Sequence, residues 1–201
     1  MKELLQAKTD VLIGELPQYH SKKYVTQKDS DIVFEECGKM QFNFEKFKKL
    51  ISYIISRCEH KKDAGKTVIV KLAYFSDFNF YEKYERSITG ETYLKYERGP
   101  YPTHINDLLN DMLSNNELTL KKIPHKGRDL HKYSLTNSPD ITCFTPEELG
   151  VINETIDKLG DLTATQISKY SHGDMPWLAA EDNEELDYEY VFYRDEEYEV
   201  S

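Results

Sequence analysis

Apolar residues recur along the chain at two spacings, and the changes between them mark its elements. Phe44, Phe47, Leu50, Ile51, Ile54, Ile55 and Cys58 fall at three- and four-residue steps, with Glu45, Lys46, Lys48, Lys49 and Arg57 off the stripe. That period predicts an amphipathic helix with one core-facing side, and Asn43 stands where a cap belongs. Val68, Leu72, Phe75, Phe78 and Tyr81 keep the helical step, and Ile69, Val70, Ala73 and Phe80 add further apolar faces. A helix greasy nearly all round belongs at the centre of a domain. Lys71 and Asp77 on it are six residues apart, on different faces, and each needs a partner if buried. Ser87-Ile-Thr-Gly90 breaks this helix. Thr92–Arg98 alternates and is rich in Tyr, as a strand is. Gly99-Pro100-Tyr101-Pro102 is expected to stop the strand, because each Pro lacks an N–H and holds its predecessor extended. Ile105, Leu108, Leu109 and Met112 then resume helical spacing.

Farther on, Leu118–Ile123 and His131–Leu135 alternate on either side of a Pro124–Asp129 turn containing Gly127, which predicts a β-hairpin. A helix followed by a hairpin is also the outline of a winged helix. Phe144-Thr-Pro-Glu-Glu148 is a helix start, with Thr145 as cap and Pro146 in the first position. Leu149, Ile152, Ile156 and Leu159 follow in phase, and Gly160 ends the helix. Thr163 opens a short helix through Tyr170, and His172–Trp177 reads as a compact turn. Residues 1–40 read as an accessory arm, with a short helix over Lys2–Leu16 and a brief strand at Ile32–Phe34; a partly disordered lead-in is the alternative. Tyr188–Tyr193 fits either an edge strand added to the small sheet or a segment that stays mobile until a partner orders it.

Composition adds limits. At 201 residues, 39% apolar and 31% charged, the chain suits one ordinary domain with appendages. No apolar run is long enough to span a bilayer and the first residues lack a secretory core, so a cytoplasmic location is expected. Three scattered cysteines, Cys37, Cys58 and Cys143, argue against a disulfide framework. The net charge of −10 is unevenly placed: residues 181–201 hold ten acids and one Arg, whereas residues 1–180 hold 25 basic against 26 acidic residues. Such a field disfavours nucleic acid and favours basic partners.

No catalytic motif is present. His125, Asp129 and His131 lie on a hairpin turn at ordinary spacing and read as surface, so no metal is expected. Ser171 and His172 are adjacent, which rarely presents a nucleophile and its base to one substrate. No catalytic residue and no cofactor is therefore assigned. Tyr, at 15 residues, is the abundant recognition side chain.

Four words in order carry a family resemblance: Lys71-Leu72-x-Tyr74-Phe75-x-Asp77, Ile88-Thr89-Gly90-x-x-Tyr93, Gly99-Pro100-x-Pro102 and Ile167-Ser168-x-x-Ser171-His172-x-x-x-Pro176-Trp177. Together they resemble the Panacea domain of SocA-like antitoxins, over residues 44–180. The resemblance implies an α+β fold: a mainly helical single domain with a small antiparallel sheet or hairpin. The division that follows is an arm over 1–40, the Panacea domain over 41–180 and an acidic aromatic tail over 181–201. It also implies a bacterial or phage type II toxin–antitoxin system, in which this chain is no enzyme and binds a cognate toxin encoded next to it. Homo-oligomers stay open, and neither nucleic acid nor membrane is expected as a partner. Many such toxins act on RNA or nucleotides through basic sites, so an acidic tail suits them. The toxin-facing residues are expected to be Tyr81, Tyr84, Tyr93, Tyr96, Arg98 and Tyr101, with Tyr188, Tyr190 and Tyr193 of the tail. Lys71, Tyr74, Asp77, Thr89, Gly90, Gly99, Pro100, Pro102, Ser171, His172, Pro176 and Trp177 are expected to serve structure. Two alternatives remain: a DNA-binding transcriptional regulator, and an adaptor delivering a toxin to a protease.

Overall fold

Asn43 starts the ordered pattern, its side chain accepting from Lys46 N–H at 2.9 Å at the head of helix α1 (Phe44–Cys58). The computed structural model describes residues 41–61, 64–125 and 128–200. The expected helix at 2–16, the strand at 32–34 and residues 126–127 of the hairpin turn lie outside them. α1 buries Phe47, Leu50, Ile51, Ile54, Ile55 and Cys58, the stripe read from its spacing apart from Phe44, which is half-buried.

Helix α2 (Lys66–Tyr84) is the axis of the molecule. Every residue from Val68 to Phe78 is buried, on all sides of the helix. It packs against α1, against helices α4 (Pro146–Leu159) and α5 (Ala164–Ser171), and against strand β2 (Gly99–Pro102). Glu85 ends it in the left-handed region, donating to Tyr81 O. α4 and α5 open with reciprocal capping boxes, Thr145 with Glu148 and Thr163 with Gln166, which satisfy N–H groups no helix can pair internally.

The Gly-Pro-Tyr-Pro word does not stop the strand before it; it is the second strand. β1 (Tyr93–Tyr96) pairs antiparallel with β2 around a turn at Glu97–Arg98, placing Tyr93 opposite Pro102 and Lys95 opposite Pro100. Thr103 N–H reaches Thr92 O at 3.0 Å, so the ladder uses the nitrogens of the odd-numbered residues of the second strand. The two proline nitrogens face away from the partner strand, and a two-stranded ribbon tolerates proline there.

Helix α3 (Ile105–Ser114) leads into a second hairpin, β3 (Leu118–His125) with β4 (Arg128–Leu135), paired from Leu118↔Leu135 to Ile123↔Leu130. After α5 comes a short helix, α6 (Met175–Ala179), where a turn was expected. Its first turn contains Pro176.

The acidic segment departs most from expectation. It adds to the β1 edge, but at residues 183–186: Asn183 N–H donates to Lys95 O, Lys95 N–H to Glu184 O and Leu186 N–H to Tyr93 O, each at 2.8 Å. Tyr188–Tyr193 is not a strand. It is a 3₁₀ helix capped by Asp187, whose side chain accepts from Glu189 N–H. Residues at three-residue steps share a face of such a helix; Tyr188 and Val191 are its buried residues, and Arg194, the buried residue that ends it, follows three positions later. From Gln41 onward the described chain packs as one unit.

Candidate partner-binding surface

The buried polar groups of α2 decide which residues are left for the surface. Asp77, fully buried, accepts from Thr89 N–H at 2.9 Å, Thr89 Oγ1 at 2.6 Å and Tyr93 Oη at 2.8 Å. Burial pushes its carboxyl up to about 6, although the Thr89 and Tyr93 hydrogen bonds pull it down. The loop it holds contains Gly90 at φ +70°, where a Cβ would collide with the Gln41 carbonyl. Only glycine suits both demands.

One helical turn and a half earlier, Lys71 donates from a nearly sealed site to Pro100 O at 2.5 Å. Burial alone brings its ammonium down to about 7. Gly99, at φ +93°, lies against it: a Cβ there would collide with Ser171 Oγ and sit 3.0 Å from Lys71 Nζ. Ser171 Oγ donates to Ser168 O at 2.9 Å. His172 stacks on Trp177 at 4.3 Å, while its Nε2 is buried without a partner. Burial, then the charges of Lys71 and Lys95, hold the imidazole below its usual value. These motif residues bring α2, the β1–β2 hairpin and α5 to one point.

Sequence reasoning passed over a third cluster. Asp174, between His172 and Trp177, is fully buried and faces Arg194 of the acidic segment, whose side chain is equally buried. The guanidinium donates through Nε to Asp174 Oδ1 and through Nη2 to Asp174 Oδ2, both at 2.8 Å. Nη1 donates to Asn79 Oδ1 at 2.9 Å and to Glu82 Oε2 at 2.6 Å, and Tyr74 Oη donates to Asp174 Oδ2 at 2.7 Å. Burial opposes the charge of Arg194, but Asp174, Tyr74 and Glu82 outweigh it and raise its pKa. The signal in the sequence was a lone base in a run of acids, three residues after Val191 and six after Tyr188.

Three of the nine expected contact residues are interior and are corrected here. Tyr93 is fully buried on Asp77; Tyr188 stacks on Phe78 at 3.9 Å and donates to Glu91 O at 2.8 Å; Tyr81 is buried and bonds Glu189. Tyr84, Tyr96, Arg98 and Tyr193 are exposed, and Tyr101 and Tyr190 half-buried. They do not form one patch. Tyr96 and Tyr101, 5.6 Å apart, lie on the hairpin, where Trp177 Nε1 donates to Tyr96 O at 3.4 Å, Lys95 covers Trp177 and Lys66 covers Tyr101. Tyr190 and Tyr193 lie on the 3₁₀ helix with exposed Phe192. Around them, all ten acids of residues 181–200 are exposed, while the one Arg among them is buried. Among the described residues, no three metal-ligating side chains converge, and no helix is long and apolar enough to cross a membrane.

The family model for the SocA-like antitoxin, Panacea domain, matches residues 69–178, more than half of the chain. The protein belongs to that family. Its matched span starts in α2 and ends in α6, so it includes the Asp77, Lys71 and Asp174 clusters and stops short of Arg194. No curated protein and no solved structure matches the chain.

Proposed function

We propose that this protein is an antitoxin that binds a basic partner toxin directly and blocks it, with residues 181–200 as the main contact. Family membership supports the antitoxin role in general. The observation that carries the specific reading is the sorting of charge in that segment, ten acids outward and the single Arg inward. While it is docked, such a segment presents its carboxylates together on the outer side and spends little ordering entropy on binding. Phe192 and Tyr193 supply apolar contact area within the array. The function is binding, with no chemical step assigned to any residue.

The partner is sought as the product of an adjacent reading frame that kills when expressed alone. Removing residues 181–201 would weaken its binding at least tenfold, but it would also strip Asp174 of its cation. The cleaner variant replaces four exposed acids: Asp195→Asn, Glu196→Gln, Glu197→Gln and Glu199→Gln. Its affinity should fall at least tenfold and its dependence on salt should flatten. Unchanged affinity with an unchanged salt slope discards the reading, and loss of binding on Tyr96→Ala with Arg98→Ala would move the contact to the hairpin. The β3–β4 hairpin, with Lys121 and Lys122 exposed, supports the alternative of DNA binding. A shift of the protein's own upstream DNA at physiological salt would favour it.

A further inference from the structure

The contacts of Arg194 are those of a ligand in a binding site. The walls come from α2 and α6: Tyr74, Phe78, Asn79, Tyr81 and Glu82, with Asp174 as the first residue before α6. All six lie within the span matched by the family model, and the occupant lies outside it. The occupant binds as short peptides bind. Its backbone adds to the β1 edge through Leu186, and its side chains enter at a regular step, Tyr188, Val191 and Arg194.

We propose that this groove is a recognition site for a segment of a partner protein bearing an arginine with apolar residues three and six positions before it, and that residues 186–198 are its displaceable resident. Chemistry selects the arginine. Asp174 takes the bidentate fork and Glu82 and Asn79 take the remaining edge, a planar arrangement that an ammonium group cannot fill. The groove also cannot stand empty, because two carboxylates would then face each other with no cation. A partner therefore enters by exchanging its arginine for Arg194. Charge favours the exchange. The resident carries five exposed acids, Asp187, Glu189, Asp195, Glu196 and Glu197, beside a groove that is itself acidic, whereas an incoming basic segment meets attraction throughout.

The test uses the full chain and a fluorescent synthetic peptide with the sequence of residues 185–199. The Arg194→Ala variant, whose own segment is loosened, should bind this peptide at least tenfold more tightly than the unaltered protein does. A peptide with Lys in place of the arginine should bind at least tenfold more weakly than the parent peptide. A peptide whose acids are changed to Gln should compete best against the unaltered protein. If Arg194→Ala does not fold alone, recovery of its cooperative melting transition on adding the peptide carries the same meaning. Absence of both saturable binding and recovery overturns the proposal. So would a concentration-dependent dimer of the unaltered protein that Arg194→Ala abolishes, since a second copy's segment would then be the groove's occupant. The outcome is independent of the toxin reading: the four-acid variant leaves Arg194 in place, and the peptide assay needs no toxin.

Discussion

Lys71 carries a sharp consequence of burial. Its ammonium is held near 7 in the folded chain against 10.5 when solvated. Between those values the unfolded chain keeps a proton that the folded chain has released, so stability rises with pH across that window. Below pH 7 the amine is charged in both states and the cost of burying it is fully present. One proton gives at most about 1.4 kcal/mol per pH unit. Asp77 acts in the opposite sense and lower, since its folded value of about 6 lies above its solvated 3.8. Urea unfolding between pH 7 and 8.5 should show the unaltered protein gaining stability and Lys71→Met holding flat relative to it. Parallel slopes would remove Lys71 as the source. That both residues needed partners was legible from two ionisable groups on an apolar helix. Which partners was not: Asp77 turns to a loop twelve residues away and Lys71 to a proline carbonyl across the hairpin, distances that no periodicity encodes.

Among the elements, those whose burial follows their own spacing were readable. α2 and α3 bury their whole stripes, α1 and α4 bury theirs except Phe44 and Leu149, and Asn43 and Thr145 cap where their side chains allow. The elements set by neighbours were not. Gly99–Pro102 becomes a strand because Thr92–Tyr96 offers carbonyls and N–H groups on the side away from its prolines. Residues 188–193 become a 3₁₀ helix because a step of three fits the groove beside α2. That helix depends on its charged end. Arg194→Met leaves the fully buried Asp174 and the half-buried Glu82 without a cation, and breaking a buried pair costs about 3–5 kcal/mol. Chemical denaturation should show a loss of that size, larger than the loss from Arg57→Met, whose bridge to Asp157 is exposed. Similar losses for the two would mean that the buried cluster contributes nothing special.

For the molecule as a whole, charge is the organising quantity. The sequence located the anionic segment but left its state open, because composition reports how many acids there are and not which way they face. The structure places that segment on the family domain as a charged outer layer, with its aromatic residues divided between core and surface. The same division explains why candidate contact residues chosen by type alone mixed two populations: a tyrosine reads identically whether its ring fills a core or its hydroxyl meets a partner.

Arg194 follows Asp174 by 20 residues, and this interval sets an order of events at the ribosome. At roughly 5–20 residues per second, a growing chain waits about 1–4 s between making the carboxylate and making its counter-charge. Until then the family-matched core is complete in sequence yet carries an unbalanced interior acid. Released chains truncated before residue 194 should therefore be cut readily by protease, and the 201-residue chain should resist. A message broken in that interval would give a product the cell clears, so that only finished copies accumulate.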